Sequence, residues 1–168
     1  VDARAAAGFG LAEGVAFNRR FRMRDGFTMT HPGVGNPDIV SVAGGVDPQV
    51  GVLAAWNTAG KCVGVVVNFA CHATTGPGGI SADYVHYLER SIRGAMGDDC
   101  IVVFTAGMAG DVTQVDNQSR FATRQFGDAA ARRLGSGVGA AAAQAILGLE
   151  PSAAPLLPLA AAGRTLEI

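Results

Sequence analysis

Residues Val63–Asp83, VGVVVNFACHATTGPGGISAD, constrain this chain most. The apolar run Val63–Val67 leads into Asn68-Phe69-Ala70-Cys71-His72. A loop of Thr, Gly and Pro follows, and then Ser81-Ala82-Asp83. So apolar a run reads as a buried strand, covered on both faces. It delivers His72 to the loop at its end, where α/β folds place ligands and catalytic groups.

The segments on either side fit this frame. Val50–Asn57 reads as a strand, Thr58–Lys61 as a turn and Cys62–Phe69 as the returning strand of a hairpin. A helix is expected from Ser81 or Ala82 to about Met96, with Ser81 as N-cap and Asp83 in the first turn. Val85, Leu88, Ile92 and Met96 recur at helical spacing. Cys100–Thr105 is a second short buried strand, running into the glycine-rich loop Ala106–Thr113. Residues 122–147 carry a helical pattern of small residues, and Gly135, Gly137 and Gly139 suggest a break into two helices. Upstream, Val1–Gly14 gives only weak signals. Val15–Met23 reads as one short strand, and Phe27–Thr30 follows an Asp25-Gly26 turn. His31-Pro32 opens an irregular loop, where a surface role suits the histidine. Leu156–Ile168 reads as a further strand. The chain opens on Val1 and closes on that run, as an internal piece of a larger protein would. The fold class expected is α/β: a mixed β-sheet with flanking helices, residues 1–168 forming a single partial domain of a larger layered α/β catalytic domain.

Composition removes several functional classes. The chain has 168 residues, about half of them hydrophobic and 16% charged, so it can bury a core. A net charge of −1 gives no basis for nucleic-acid or anionic-membrane binding. Arg19, Arg20, Arg22 and Arg24 form the densest basic cluster, which reads as a solvated edge strand or an anion contact. No apolar run is long enough for a transmembrane helix. The three cysteines, Cys62, Cys71 and Cys100, lack zinc or redox spacing, and nothing in their pattern indicates a disulfide framework.

Few residues can carry chemistry. A neutral imidazole at a strand end can bind a metal, and it can equally be a buried histidine with a satisfied hydrogen bond. Asp83 can support its helix N-terminus or orient His72. Asp111-Val112-Thr113 follows glycines that allow a ligand close to the backbone. Thr113 can be a nucleophile, given a base or metal, or a turn residue. Gly76-Pro77-Gly78-Gly79 lacks the Lys-Ser/Thr of a phosphate loop.

Taken in order, several of these pieces resemble the neutral/alkaline ceramidase family. Asn68-Phe69-Ala70-Cys71-His72 followed by Ser81-Ala82-Asp83 is similar to the family's N-[WFY]-x-x-H and Ser-x-Asp. Gly110-Asp111-Val112-Thr113 is similar to its Gly-Asp-Val-Ser loop. Asn18-Arg19 resembles its Asn-Arg near the amide pocket, and Val46-Asp47-Pro48 and Phe126-Gly127-Asp128 resemble flanking segments. The order holds over roughly residues 15 to 147. The resemblance implies a Zn2+-dependent hydrolase of an amide bond in a small-molecule or lipid N-acyl substrate, in sphingolipid metabolism, secreted or extracytoplasmic. It implies His72 as a zinc ligand, Thr113 at the position of the attacking serine, and Arg19 and Asp111 in the catalytic group, with Asn18, Asp83 and Gly110 in support. This sequence departs from the family at Thr113 and at Gln114-Val115, which stand for Ser and Pro-Asn. The family's other zinc ligands, an upstream histidine and downstream Glu and Tyr, have no counterpart here. Those ligands would come from outside the chain, which alone would be inactive. The departures favour a distant ceramidase-like hydrolase. The alternatives are a non-catalytic α/β binding domain and an esterase or amidase for a different acyl substrate.

Overall fold

The computed structural model describes residues 2–121, 124–152 and 160–165. In chain order the elements are β1 (Ala3–Leu11), β2 (Phe17–Asn18), β3 (Arg20–Met23), β4 (Thr28–Thr30), β5 (Ile39–Val42), β6 (Gln49–Asn57), β7 (Cys62–Phe69), α1 (Tyr84–Met96), β8 (Ile101–Ala106), β9 (Val112–Thr113) and α2 (Gly127–Leu147). The fold is α/β, with a mixed four-stranded sheet in the order β1-β6-β7-β8. The β6–β7 hairpin forms as expected, with Val52 opposite Val67 and Ala54 opposite Val65. Its turn is closed by Asn57 Oδ1, which accepts from Ala59 N and Lys61 N, an Asx turn with a second acceptor contact. β8 runs parallel to β7 and is reached through α1, so β7-α1-β8 is a βαβ crossover.

The core lies between one sheet face and the two helices. Val50, Val52, Ala54, Val65, Val67 and Phe69 are buried in one cluster with Tyr84, Leu88 and Ile92 of α1 and Leu134, Val138, Ala142 and Ile146 of α2. The expected break in the second helix does not occur: Gly135 and Gly139 serve the contact between helices, and Gly137 leaves room for Val15. A Cβ on Gly135 would stand 2.1 Å from the Tyr84 carbonyl oxygen, and one on Gly139 would stand 2.8 Å from that of Leu88. The close approach of α1 offsets the roughly 1 kcal/mol that each glycine costs a helix.

Several expectations are corrected. β7 is central but covered on one side only among the described residues. Its other face presents Val66, beside Leu53 on β6 and Val103 on β8, all exposed, with Phe9, Leu11 and Ile101 exposed on the flanking strands. The Ala/Gly-rich N-terminus is a full strand, β1, paired with β6 from Ala3↔Asn57 to Leu11↔Gln49. Val15–Met23 is two strands in different sheets, divided at Arg19: β2 pairs with β9, and β3 lies between β4 and β5. The arginine-rich strand is therefore central in its small sheet. Arg20 and Arg22 face out while Phe21 and Met23 are buried. β5 carried no signal in the sequence reading. The strand expected at Leu156–Ile168 lies mostly outside the described residues, and its described part, 160–165, has no regular structure. Among the described residues no helix is long and apolar enough to cross a membrane.

Gly135→Ala is expected to destabilise the fold by about 1–3 kcal/mol, the usual cost of overpacking. Gly94→Ala, on the exposed side of α1 with nothing within 4 Å of the added carbon, should instead stabilise by about 0.5–1 kcal/mol. Urea denaturation of the two variants reads the opposite signs.

Candidate functional site

The end of β7, the β9 loop and the β2–β3 junction converge at the Val112 carbonyl. His72 gives it two hydrogen bonds, from its backbone N (3.1 Å) and from Nδ1 (3.1 Å). A carbonyl accepts only from the tautomer with the proton on Nδ1, so the Nε2 lone pair of neutral His72 is left free. Ligand histidines are oriented in this way. The ring is half-buried. β9 is pinned on its other side by β2, with Asn18 opposite Val112 and Phe17 opposite Thr113.

Asn18 and Arg19 hold the glycine-rich loop. The buried Asn18 side chain donates from Nδ2 to Asp111 Oδ2 (2.8 Å) and to the Gly45 carbonyl (3.2 Å), and its Oδ1 accepts from Arg20 N. Gly44 leaves room for this amide, since a Cβ there would stand 3.1 Å from Asn18 Nδ2. Arg19 N donates to the Asp111 carbonyl (2.8 Å), and Arg19 Nη2 donates to the Gly110 carbonyl (2.7 Å). His72, Asn18, Arg19, Gly110, Asp111 and Thr113, drawn from three distant segments, are thus brought to one place.

Thr113 is only 1% exposed, and its hydroxyl donates to Gln114 Oε1 (2.9 Å). Thr74 Oγ1 lies 3.3 Å from it and donates to the same amide oxygen. Gln114 Nε2 in turn donates to the carbonyls of Thr74 (2.9 Å) and Gln125 (3.2 Å). An amide oxygen is not a base, so the hydroxyl is held rather than activated. Cys71 is no substitute nucleophile, because burial and then the Asp83 charge push its thiol up to about 12.

Asp83 belongs to the helix end and does not touch His72. It, and not Ser81, is the N-cap: its Oδ1 accepts from Tyr84 N (2.7 Å) and Thr75 Oγ1 (2.8 Å), and Oδ2 accepts from Gly76 N (3.2 Å). Ser81 Oγ accepts from Asp83 N. Asp83 sits at φ 54°, ψ −140°, strain that these bonds hold in place. Tyr84 donates its phenol to the Cys71 carbonyl, so the residue before His72 is fixed from the helix. An open depression of about 560 Å³ borders this loop. It is lined by Thr74, Gly76, Pro77, Ser81 and Asp83 among others, but not by His72 or Thr113. The other histidines stand apart: His31 is exposed in its loop and His86 packs edge-on against Tyr87.

The sequence reading missed Thr74, Thr75, Gln114 and Gln125. Thr75, Gln114 and Gln125 are buried polar residues, and their types carry no motif that marks them.

Two solved ceramidase structures share this fold. One is the neutral ceramidase from Pseudomonas aeruginosa, with a TM-score of 0.62 and 18% identity over 88% of this chain. The other is a ceramidase complexed with C2, with a TM-score of 0.63 and 22% identity over 87% of this chain. The chain spans 23% and 22% of those chains. No family model matches the sequence, and no curated protein does. The likeness is one of fold.

Asp83→Ala is expected to cost about 1–2 kcal/mol through loss of the cap. It should also remove the amide-exchange protection of Gly76 and Tyr84 while leaving β9 protected. Hydrogen exchange resolved by residue checks both.

Proposed function

We propose that the chain is part of the catalytic domain of a ceramidase-like, zinc-dependent hydrolase that cleaves an amide bond in an N-acyl, lipid-type substrate. In this reading it contributes one metal ligand, His72. The observation that carries the reading is the Nδ1 contact of His72 with the Val112 carbonyl, which leaves Nε2 free at the strand end. The shared fold and the open apolar face of the main sheet support a larger layered domain, since a contiguous exposed apolar patch marks a surface that another part of the protein covers.

The described residues fit a zinc centre only in part. No three His, Cys, Asp or Glu side chains among them lie close enough together to hold an ion, and zinc takes three or four protein ligands. The remaining ligands therefore belong to polypeptide outside these residues. Bound zinc would supply Lewis acidity to the amide carbonyl and to an attacking water. The chain's own residues do the positioning. Arg19 is fastened to the Gly110 carbonyl through one nitrogen. Its remaining donors can take the charge that develops on the amide oxygen. Asp111, bonded to Asn18, sets the loop that presents His72 with its acceptor. Thr113, its proton held by Gln114, supports the loop and does not attack.

In the full-length polypeptide, His72→Ala is expected to abolish stoichiometric zinc by elemental analysis and, with it, N-acyl amide hydrolysis. Zinc content unchanged by the substitution would refute the ligand role. A wild type that binds no zinc would favour a binding domain. Thr113→Ala should lower the turnover rate by less than about tenfold, whereas loss of a covalent nucleophile costs about a millionfold. Steady-state rates on matched amide and ester substrates separate the two, and also separate an amidase from an esterase.

A further inference from the structure

The geometry points to Cys62 and Cys100 as a modification site: a dithiol that closes to a disulfide between β7 and β8 by exchange with a low-molecular-weight disulfide such as oxidised glutathione. It lies at the opposite ends of these strands from His72, and it does not depend on the hydrolase reading.

Cys62 is the first residue of β7, and Cys100 immediately precedes β8. Their sulfurs lie 3.9 Å apart on the helix-covered side of the sheet. The ladder pairs Gly64 with Ile101, which sets Cys100 beside Val63 and one position diagonal to Cys62. With strands about 4.8 Å apart and a rise of about 3.3 Å per residue, that diagonal is about 6 Å, within the Cα separations of about 4.4–6.8 Å that disulfides span. Closure thus needs a change of side-chain torsions and no separation of the strands. The parallel β7–β8 ladder holds both backbones in register. The residues just before the cysteines, Lys61 and Asp99, form an ion pair across the same two strands. Arg93 Nε donates to the Cys100 carbonyl (3.0 Å), fixing that residue from α1. Cys71, the third cysteine, is at the far end of β7 and makes its sulfur contact with the His72 carbonyl.

The exchange balances in two steps. The Cys62 thiolate, the more exposed of the two at 5% against 0%, attacks the small disulfide and expels one thiolate, forming a mixed disulfide. The Cys100 thiolate then attacks the Cys62 sulfur and expels the second. The protein loses two protons and two electrons, and the small disulfide is reduced to two thiols. Burial and then the neighbouring Cys62 push the Cys100 thiol up to about 11. The second step is therefore slow in the folded protein near neutral pH and faster while the chain is folding. The bond would join residues 38 positions apart and enclose α1 and the loop bearing His72.

The test is to refold the full-length protein in a buffer of reduced and oxidised glutathione, quench with acid, alkylate in denaturant without reductant, and map the peptides. The expected result is a Cys62–Cys100 cross-link, a mass lower by two hydrogens, and an alkylated Cys71. Reduction should lower the melting temperature of wild type and leave that of Cys62→Ser unchanged. All three cysteines alkylated, or a link through Cys71, would overturn the proposal. Mapping wild type keeps the test decisive should Cys62→Ser fail to fold.

Discussion

One backbone carbonyl, that of Val112, ties the parts of this molecule that could do chemistry. It takes both the amide and the ring proton of His72, and so joins the end of β7 to β9. β9 has only two residues and could not persist alone. It persists because β2 pairs with it on one side and His72 bonds to it on the other. The same contact fixes the imidazole tautomer. The position of the β9 loop and the orientation of the imidazole thus rest on one acceptor.

Around it, several polar groups find partners in distant segments. Asn18 reaches Asp111, Arg19 reaches Gly110, and Gln114 spans Thr74 and Gln125. Buried polar groups need such partners, since each one left unpaired costs about 1–3 kcal/mol. The network therefore holds the Thr113 hydroxyl in place. That hydroxyl is shared with an amide that is itself committed twice.

The elements legible in the sequence were those whose signal is local. The β6–β7 hairpin announced itself by two apolar runs and a short turn, and α1 by Leu88 and Ile92 at helical spacing. His72, Asn18 and Asp111 were legible as a set because ordered short motifs carry them. β1 was not, because a run of Ala and Gly offers no contrast between faces. The continuity of α2 was not legible either, since glycine argues against a helix until the neighbour that needs the space is known. Gln114 and Thr74 stayed hidden because their meaning lies in contacts across 40 residues of chain. The open face of the main sheet was hidden too: an apolar strand looks the same whether its second face meets a partner or solvent.

The glycine contact between the helices has a mechanical side. Gly135 rests on the Tyr84 carbonyl, and at the start of α2 the Gly127 amide donates to the Thr75 carbonyl (2.7 Å). Tyr84 and Thr75 bracket the loop that follows His72, so α2 acts as a splint across it, bound at both of its ends. A side chain at Gly135 would lift the splint at one end and transmit the displacement through Tyr84 to the Cys71 carbonyl, one residue from the imidazole. Space left empty on one helix therefore governs how still a ring can be held on the far side of another.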